Sequence, residues 1–138
     1  MNTKKRILVV APHPDDESLG AGGLIAKYSA KGDEVFVLTV SGHLPPLYSR
    51  EEYDKTISEA HLAFSILGVS KSESLEIPAT MIGNQPLHDF NSKIIKIVND
   101  FKPHMVLCPY PDRHIDHRLV FESTMVATRP IGVGRNIE

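Results

Sequence analysis

The feature that most constrains the fold is an alternation along the chain between short apolar runs and longer amphipathic stretches. Residues 7–11 (ILVVA) are continuously apolar, and residues 35–40 (VFVLTV) form a second run that is almost as apolar. Such runs predict β-strands that are covered on both faces, because a strand with one solvated face would alternate with polar residues. We expect a weaker third strand at residues 75–77 and a fourth at residues 105–108.

Amphipathic helices are predicted between these strands and after the last one. The first is followed by Gly32, a residue type that commonly ends a helix. Ser49 and Glu52 have the spacing of a capping box, and the apolar positions that follow recur every three or four residues until Gly68. The four predicted helices cover, approximately, residues 19–31, 49–67, 87–101 and 116–127.

Strands that alternate with helices predict an α/β fold with a mainly parallel sheet, because parallel neighbours need a crossover connection. We expect a Rossmann-like three-layer sandwich that forms a single domain over residues 1–138. The common strand order 3-2-1-4 would make the first and fourth strands neighbours. The tail after Thr128 carries no pattern that predicts a structure.

Charge and composition exclude several classes of protein. The sequence has 15 basic and 17 acidic side chains, without the basic excess of a nucleic-acid binder. No apolar run approaches the ~20 residues that cross a bilayer, and the N-terminal segment lacks the pattern of a signal peptide. Cys108 is the single cysteine, so an internal disulfide is excluded. These features predict a cytoplasmic protein.

Two polar segments follow the first and fourth predicted strands. Residues 11–17 (APHPDDE) come after the first strand, and residues 112–117 (DRHIDH) come after the fourth. Open α/β sheets bind ligands at the carboxyl ends of their strands, so the two segments should face each other across one crevice. Together they bring three histidines and several carboxylates but no lysine. Converging carboxylates repel one another, and a divalent cation would relieve that repulsion.

A mixed set of histidines and carboxylates favours zinc, for which two histidines and one carboxylate leave an open position. Iron(II) accepts the same set, so both metals stay open. A purely structural interpretation makes residues 14–17 an acidic helix start and Asp116 a plain N-cap. The coincidence of both segments at one ligand-binding edge favours the metal site. His43 and Arg50 flank the loop after the second strand, where either could contact a substrate.

These segments carry a resemblance to a known family. Residues 13–17 (HPDDE), followed by residues 19–23 (LGAGG), resemble the first motif of the LmbE-like, or PIG-L, deacetylases, and residues 114–117 (HIDH) are similar to the second. The resemblance implies zinc-dependent hydrolysis of the N-acetyl amide of an N-acetylglucosamine-type sugar or glycoconjugate, which releases acetate and a free amino sugar. By motif position it implies three metal ligands: His13, Asp16 and His117.

The resemblance also implies roles for three further residues. Asp15 would be the general base, His114 would support the oxyanion or act as the acid, and Asp116 would be the partner of a histidine. Family members usually continue well past the second motif, so we expect a domain that is truncated at its C-terminus.

Two other functions stay open at the level of sequence. The first is a catalytically impaired, metal-dependent sugar-binding or regulatory module, although binding alone would not need Asp15 and His114. The second is a nucleotide-binding Rossmann-type domain, although the acidic loop would repel a phosphate. The expected partner is a small sugar or glycoconjugate rather than nucleic acid or membrane, and a homo-oligomer is left open.

Overall fold

Four parallel strands form the central sheet. In the computed structural model, which describes residues 3–138, the strands are β1 (Arg6–Ala11), β2 (Glu34–Gly42), β3 (Lys71–Pro78) and β4 (Met105–Leu107). Their order is β3-β2-β1-β4, and every neighbouring pair is parallel. The predicted α/β class and the predicted strand order are therefore confirmed.

Helices cover both faces of this sheet. They are α1 (Asp16–Ala30), α2 (Arg50–Leu67), α3 (Leu87–Phe101) and α4 (Ile115–Ala127), and short 3-10 helices lie at Ile82–Asn84 and Gly132–Asn136. One core cluster joins the sheet to α1 and α2, and the other joins it to α3 and α4. The result is the expected three-layer sandwich. Among residues 3–138, no helix is long and apolar enough to span a membrane.

The apolar run in β1 is explained by these two layers. Ile7 and Val9 point into the core shared with α1 and α2, whereas Leu8 and Val10 point into the core shared with α3 and α4. All four side chains are at most 3% exposed. Both faces of the strand are buried, so every position is apolar.

The observed bounds differ from the predicted ones where polar residues enter an element. Helix α1 begins at Asp16, three residues earlier than expected, inside the acidic motif. Strand β3 runs over Lys71–Pro78 instead of residues 75–77. It is the edge strand of the sheet, and its first three residues are exposed. Edge strands tolerate charged and polar residues, so the apolar signal covered only part of this strand.

The predicted ends of α2 are confirmed. The hydroxyl of Ser49 accepts the backbone N–H of Glu52 at 3.2 Å, and the Glu52 carboxylate accepts the N–H of Ser49 at 2.9 Å, which completes a capping box. Gly68 follows the helix with φ at +78°, in the left-handed region. A Cβ there would also overlap with the hydroxyl of Ser29, so a larger residue would strain the backbone and force that side chain to move.

The tail after α4 returns to the sheet. The N–H of Glu138 donates to the carbonyl of His104 at 2.9 Å, and the N–H of Val106 donates to the carbonyl of Glu138 at 2.9 Å. The tail therefore hydrogen-bonds beside Met105, on the side of β4 away from β1. A single residue in contact leaves no periodic pattern, so this position was not predicted.

The packing of α3 can be tested with two isoleucines. Ile94 is fully buried, whereas Ile66 on α2 is 86% exposed. We expect Ile94→Ala to lower the free energy of unfolding by about 2–5 kcal/mol, because it removes buried methyl groups and leaves a cavity. Ile66→Ala should change it by less than about 0.5 kcal/mol. Urea denaturation of both variants checks this, and equal effects would contradict the assignment of the core.

Candidate metal centre

Pairing of β1 with β4 brings the two polar segments together. Ile7 is aligned with Met105 and Val9 with Leu107, so the loops that follow both strands leave the same edge of the sheet. The imidazole rings that these loops carry form one cluster. Ring centroids are 4.7 Å apart between His13 and His114, 5.0 Å between His114 and His117, and 5.5 Å between His13 and His117.

Asp16 lies between two of these imidazoles. Its Oδ2 is 3.4 Å from Nδ1 of His13 and 3.3 Å from Nε2 of His117. The same oxygen accepts the backbone N–H of His13 at 3.0 Å, which fixes the carboxylate at the start of α1. One donor atom from each of the three residues lies within 4.8 Å of the other two. This set can therefore hold one metal ion, and His13, His114 and Asp116 form a second set that meets the same distance criterion.

Each of the two histidines also contacts a carboxylate through its other ring nitrogen. Nε2 of His13 is 2.8 Å from Oδ2 of Asp116, and Nδ1 of His117 is 2.8 Å from Oδ2 of Asp112. Histidines that bind metals usually donate their second N–H to a carboxylate, a carbonyl or a water, because that bond fixes the tautomer and the ring orientation. Both histidines meet this requirement, so the chemistry of the set fits a divalent cation.

Asp116 is fully buried beneath the site. Its Oδ2 accepts the backbone N–H of Thr80 at 2.8 Å in addition to its bond with His13, whereas its Oδ1 has no partner among the described residues. The N-cap of α4 is His114, whose Nδ1 accepts the N–H of Asp116 at 3.1 Å. The structural interpretation of Asp116 as a plain N-cap is therefore wrong.

The charges of this cluster favour protonation of His13 when no metal is bound. Burial opposes the charged imidazolium, but hydrogen bonds and attraction from Asp116 and Asp16 outweigh burial and raise the pKa of His13 to about 9. Burial also opposes ionisation of Asp116, yet its bonds with His13 and Thr80 hold the pKa of Asp116 below its usual value. The pKa of Asp16 is likewise lowered, since its bonds with His13 outweigh its burial.

Asp15 occupies a strained position beside this set. It is the N-cap of α1, with φ at 102°, where non-glycine residues are uncommon. The buried Glu17 accepts the backbone N–H of Asp15 at 3.2 Å and so holds this turn. Partial burial and the charge of Asp16 both raise the pKa of Asp15.

A cavity of about 270 Å³ adjoins the cluster. Its lining includes His13, Asp15 and His114, together with the stacked rings of His43 and Tyr48, whose centroids are 4.1 Å apart. His43 therefore lies where the sequence placed it, at the border of the crevice.

Arg50 lies apart from this cavity. Its guanidinium bonds to Asp54 and Glu76, each at 3.0 Å, and it lines a different cavity between α2 and β3. The structure therefore does not bring Arg50 together with the other predicted site residues. The ion pair with Glu76 spans 26 positions in sequence, so no local pattern revealed it.

Three residues with a role at the site were not assigned one from the sequence. They are Glu17, which holds the turn at Asp15, Asp112, which contacts His117, and Thr80, whose N–H contacts Asp116. Glu17 and Asp112 lie inside the two polar segments, so their residue type was a usable signal. Thr80 contributes only its backbone, for which a sequence carries no signal.

Comparison with known proteins places this chain in a family. Residues 8–128 match the family described as PIG-L: GlcNAc-PI de-N-acetylase, so the chain belongs to the PIG-L family. It is 29% identical over 126 residues to a diacetylchitobiose deacetylase of Thermococcus kodakarensis, and the alignment covers 85% of this chain and 46% of that protein. It is also 26% identical, over an alignment of 162 positions, to a 1D-myo-inositol 2-acetamido-2-deoxy-alpha-D-glucopyranoside deacetylase of Rhodococcus jostii. That alignment covers 94% of this chain and 55% of the relative.

Solved structures share the fold. The N,N'-diacetylchitobiose deacetylase from Pyrococcus horikoshii, solved with an inhibitor, superposes with a TM-score of 0.79 at 25% identity. The superposition covers 96% of this chain and 54% of that one. The chain thus spans about half the length of these relatives.

Metal affinity should rise with pH. Because the pKa of His13 is about 9 in the metal-free protein, an ion that binds this imidazole must displace a proton. We expect the apparent zinc affinity to rise about tenfold per pH unit from about pH 7 to about pH 8.5, as one proton is released. Competition with a chromophoric chelator of known protonation measures it.

Asp116→Asn provides the control for this dependence. The amide carries no charge, so the pKa of His13 should fall toward its usual value and the rise with pH should be weaker. An affinity of the unmodified protein that is independent of pH over this range would contradict the account of His13.

Proposed function

We propose that this chain hydrolyses the N-acetyl amide of an N-acetylglucosamine-type sugar or glycoconjugate, with zinc held by His13, Asp16 and His117. The observation that carries the proposal is that one donor atom from each of these residues lies within 4.8 Å of the others, beside a cavity that Asp15 and His114 line. Membership of the PIG-L family supports it, as do the relatives that are named deacetylases of diacetylchitobiose and of a 2-acetamido-2-deoxyglucopyranoside.

The donor set favours zinc over harder cations. Two imidazoles and one carboxylate suit zinc and leave room for a further ligand, whereas magnesium and calcium prefer oxygen ligands. Iron(II) accepts the same set and is the alternative. A divalent cation with an open position supplies Lewis acidity, which polarises an amide carbonyl and makes water more acidic.

Asp15 is proposed as the general base. Its carboxylate lines the cavity beside Asp16 but is absent from the set of donor atoms that could share an ion with His13 and His117. A carboxylate in that position can take the proton of the water that attacks the acetamide carbon.

His114 is proposed as the hydrogen-bond donor to the oxyanion and to the departing amine. Its Nδ1 accepts the backbone N–H of Asp116, so the neutral ring carries its proton on Nε2. An Nε2–H that faces the cavity can stabilise the oxyanion of the tetrahedral intermediate and can donate a hydrogen bond to the departing amine. The proton that Asp15 takes from the water is passed to the amide nitrogen as the C–N bond breaks, and the products are acetate and a free amino sugar.

The extent of the domain and the place where the sugar binds are part of the same proposal. We take residues 1–138 as the N-terminal part of a single domain of this family, which residues 8–128 match, with a small sugar or glycoconjugate as its partner. The cavity of about 270 Å³, with the stacked His43 and Tyr48 in its lining, offers an aromatic surface and polar groups of the kind that bind a sugar ring.

Acetate release from diacetylchitobiose tests the proposal. The protein loaded with zinc should release acetate, and removal of the metal with a chelator should abolish the release. Asp15→Asn should retain zinc but lose about 100-fold or more in kcat, because the amide cannot accept the proton. Asp89→Asn, an exposed aspartate on α3, should behave like the unmodified protein and serves as the matched control.

A binding module without catalysis would give a different result. It would bind zinc and sugar without acetate release, and Asp15→Asn would leave both affinities unchanged. Full acetate release by Asp15→Asn would remove the proposed base. A protein that does not bind zinc would overturn the proposal as a whole.

A further inference from the structure

One exposed carboxylate bridges the loop after β4 and the first turn of α4. Oδ1 of Asp112 accepts the backbone N–H of His114 at 2.7 Å, and Oδ2 is 2.8 Å from Nδ1 of His117. The side chain of Asp112 is 53% exposed, in contrast to the fully buried Asp116. Both of its oxygens are thus engaged although it lies at the surface.

The second of these bonds decides which nitrogen of His117 is available. A carboxylate accepts hydrogen bonds and cannot donate one when ionised, so Nδ1 of His117 must carry the hydrogen. In the neutral ring the lone pair then lies on Nε2, the atom that is 3.3 Å from Oδ2 of Asp16. The contact with Asp112 therefore directs the lone pair of His117 toward the proposed metal set.

The two proposed histidine ligands are held by different carboxylates. Buried Asp116 contacts Nε2 of His13, and exposed Asp112 contacts Nδ1 of His117. Removal of Asp116 would leave the ring of His13 and the N–H of Thr80 without the partner of a part-buried hydrogen bond, whereas water can replace Asp112 in its exposed contacts. The function of Asp112 can therefore be tested with less risk to the fold.

We propose that Asp112 is a positioning residue that fixes the tautomer and orientation of His117 and thereby sets the affinity of the site for a divalent cation. The inference rests on the proposed function in so far as His117 is a metal ligand. Carboxylates in this position typically change metal affinity by about 10- to 100-fold. Asp112 itself neither lines the cavity beside the cluster nor belongs to the set of candidate metal ligands, and it acts only through its contact with His117.

A simpler role would be to shape the loop. The bond from the N–H of His114 to Oδ1 of Asp112, two residues earlier, has the form of an Asx-turn, which asparagine makes equally well. The variant Asp112→Asn distinguishes the two roles, because it keeps the bond that shapes the loop and loses the bond that positions His117. Its amide oxygen can still accept the N–H of His114, but its NH₂ group can only donate toward Nδ1 of His117. That donation would move the hydrogen of His117 to Nε2 and block the lone pair.

The experiment compares zinc affinity and the tautomer of His117 in three proteins. Competition with a chromophoric chelator gives the affinity, and ¹⁵N NMR of the metal-free protein gives the tautomer. We expect Asp112→Asn to bind zinc about 10- to 100-fold more weakly and to shift the hydrogen of His117 from Nδ1 toward Nε2. Glu122→Gln, an exposed acidic residue on α4, should match the unmodified protein in both measurements.

Each outcome has a separate meaning. Unchanged zinc affinity and an unchanged His117 tautomer in Asp112→Asn would overturn the inference and leave Asp112 as a loop residue. A tautomer shift without a change in affinity would overturn it as well, because the orientation of His117 would then not govern the metal. Failure of the unmodified protein to bind zinc would instead refute the proposed function, and the inference with it.

Discussion

The pairing of β1 with β4 is the constraint on which the rest of the site depends. The hydrogen bond between His13 and Asp116 joins residues 103 positions apart, and it forms because their loops leave adjacent parallel strands at the same edge. The apolar residues of β1, packed on both faces, fix that edge. Two short polar motifs then need only local turns to bring their side chains into contact. Fold and site are thus linked through one pair of strands.

Imidazoles and carboxylates form a contact network at this edge of the sheet. Asp16 contacts both His13 and His117, and two further carboxylates contact the remaining ring nitrogens. In the metal-free protein Asp116 and Asp16 favour the protonated imidazole and raise the pKa of His13 to about 9. A cation bound to this imidazole would displace that proton. The strained turn at Asp15, held by Glu17, places one more carboxylate beside the cluster but outside the donor set.

The fold was predictable where burial dictated residue type. Uninterrupted apolar runs identified β1 and most of β2, and the capping box located the start of α2 within a residue. Strand β3 was predicted too short, because half of it lies exposed at the sheet edge and carries polar residues. The predicted strand order was enough to predict that the two polar segments meet. It could not predict the position of Arg50, because the ion pair of Arg50 with Glu76 depends on the distance between α2 and β3.

The proposed chemistry requires a single divalent ion to bind between His13, Asp16 and His117. Anomalous diffraction at the zinc absorption edge, from crystals grown with zinc, tests it most directly. We expect one strong peak about 2.0–2.1 Å from a ring nitrogen of each histidine and about 2.0–2.2 Å from an oxygen of Asp16. A peak bound elsewhere, or imidazoles of His13 and His117 that share no ion at full zinc occupancy, would contradict it.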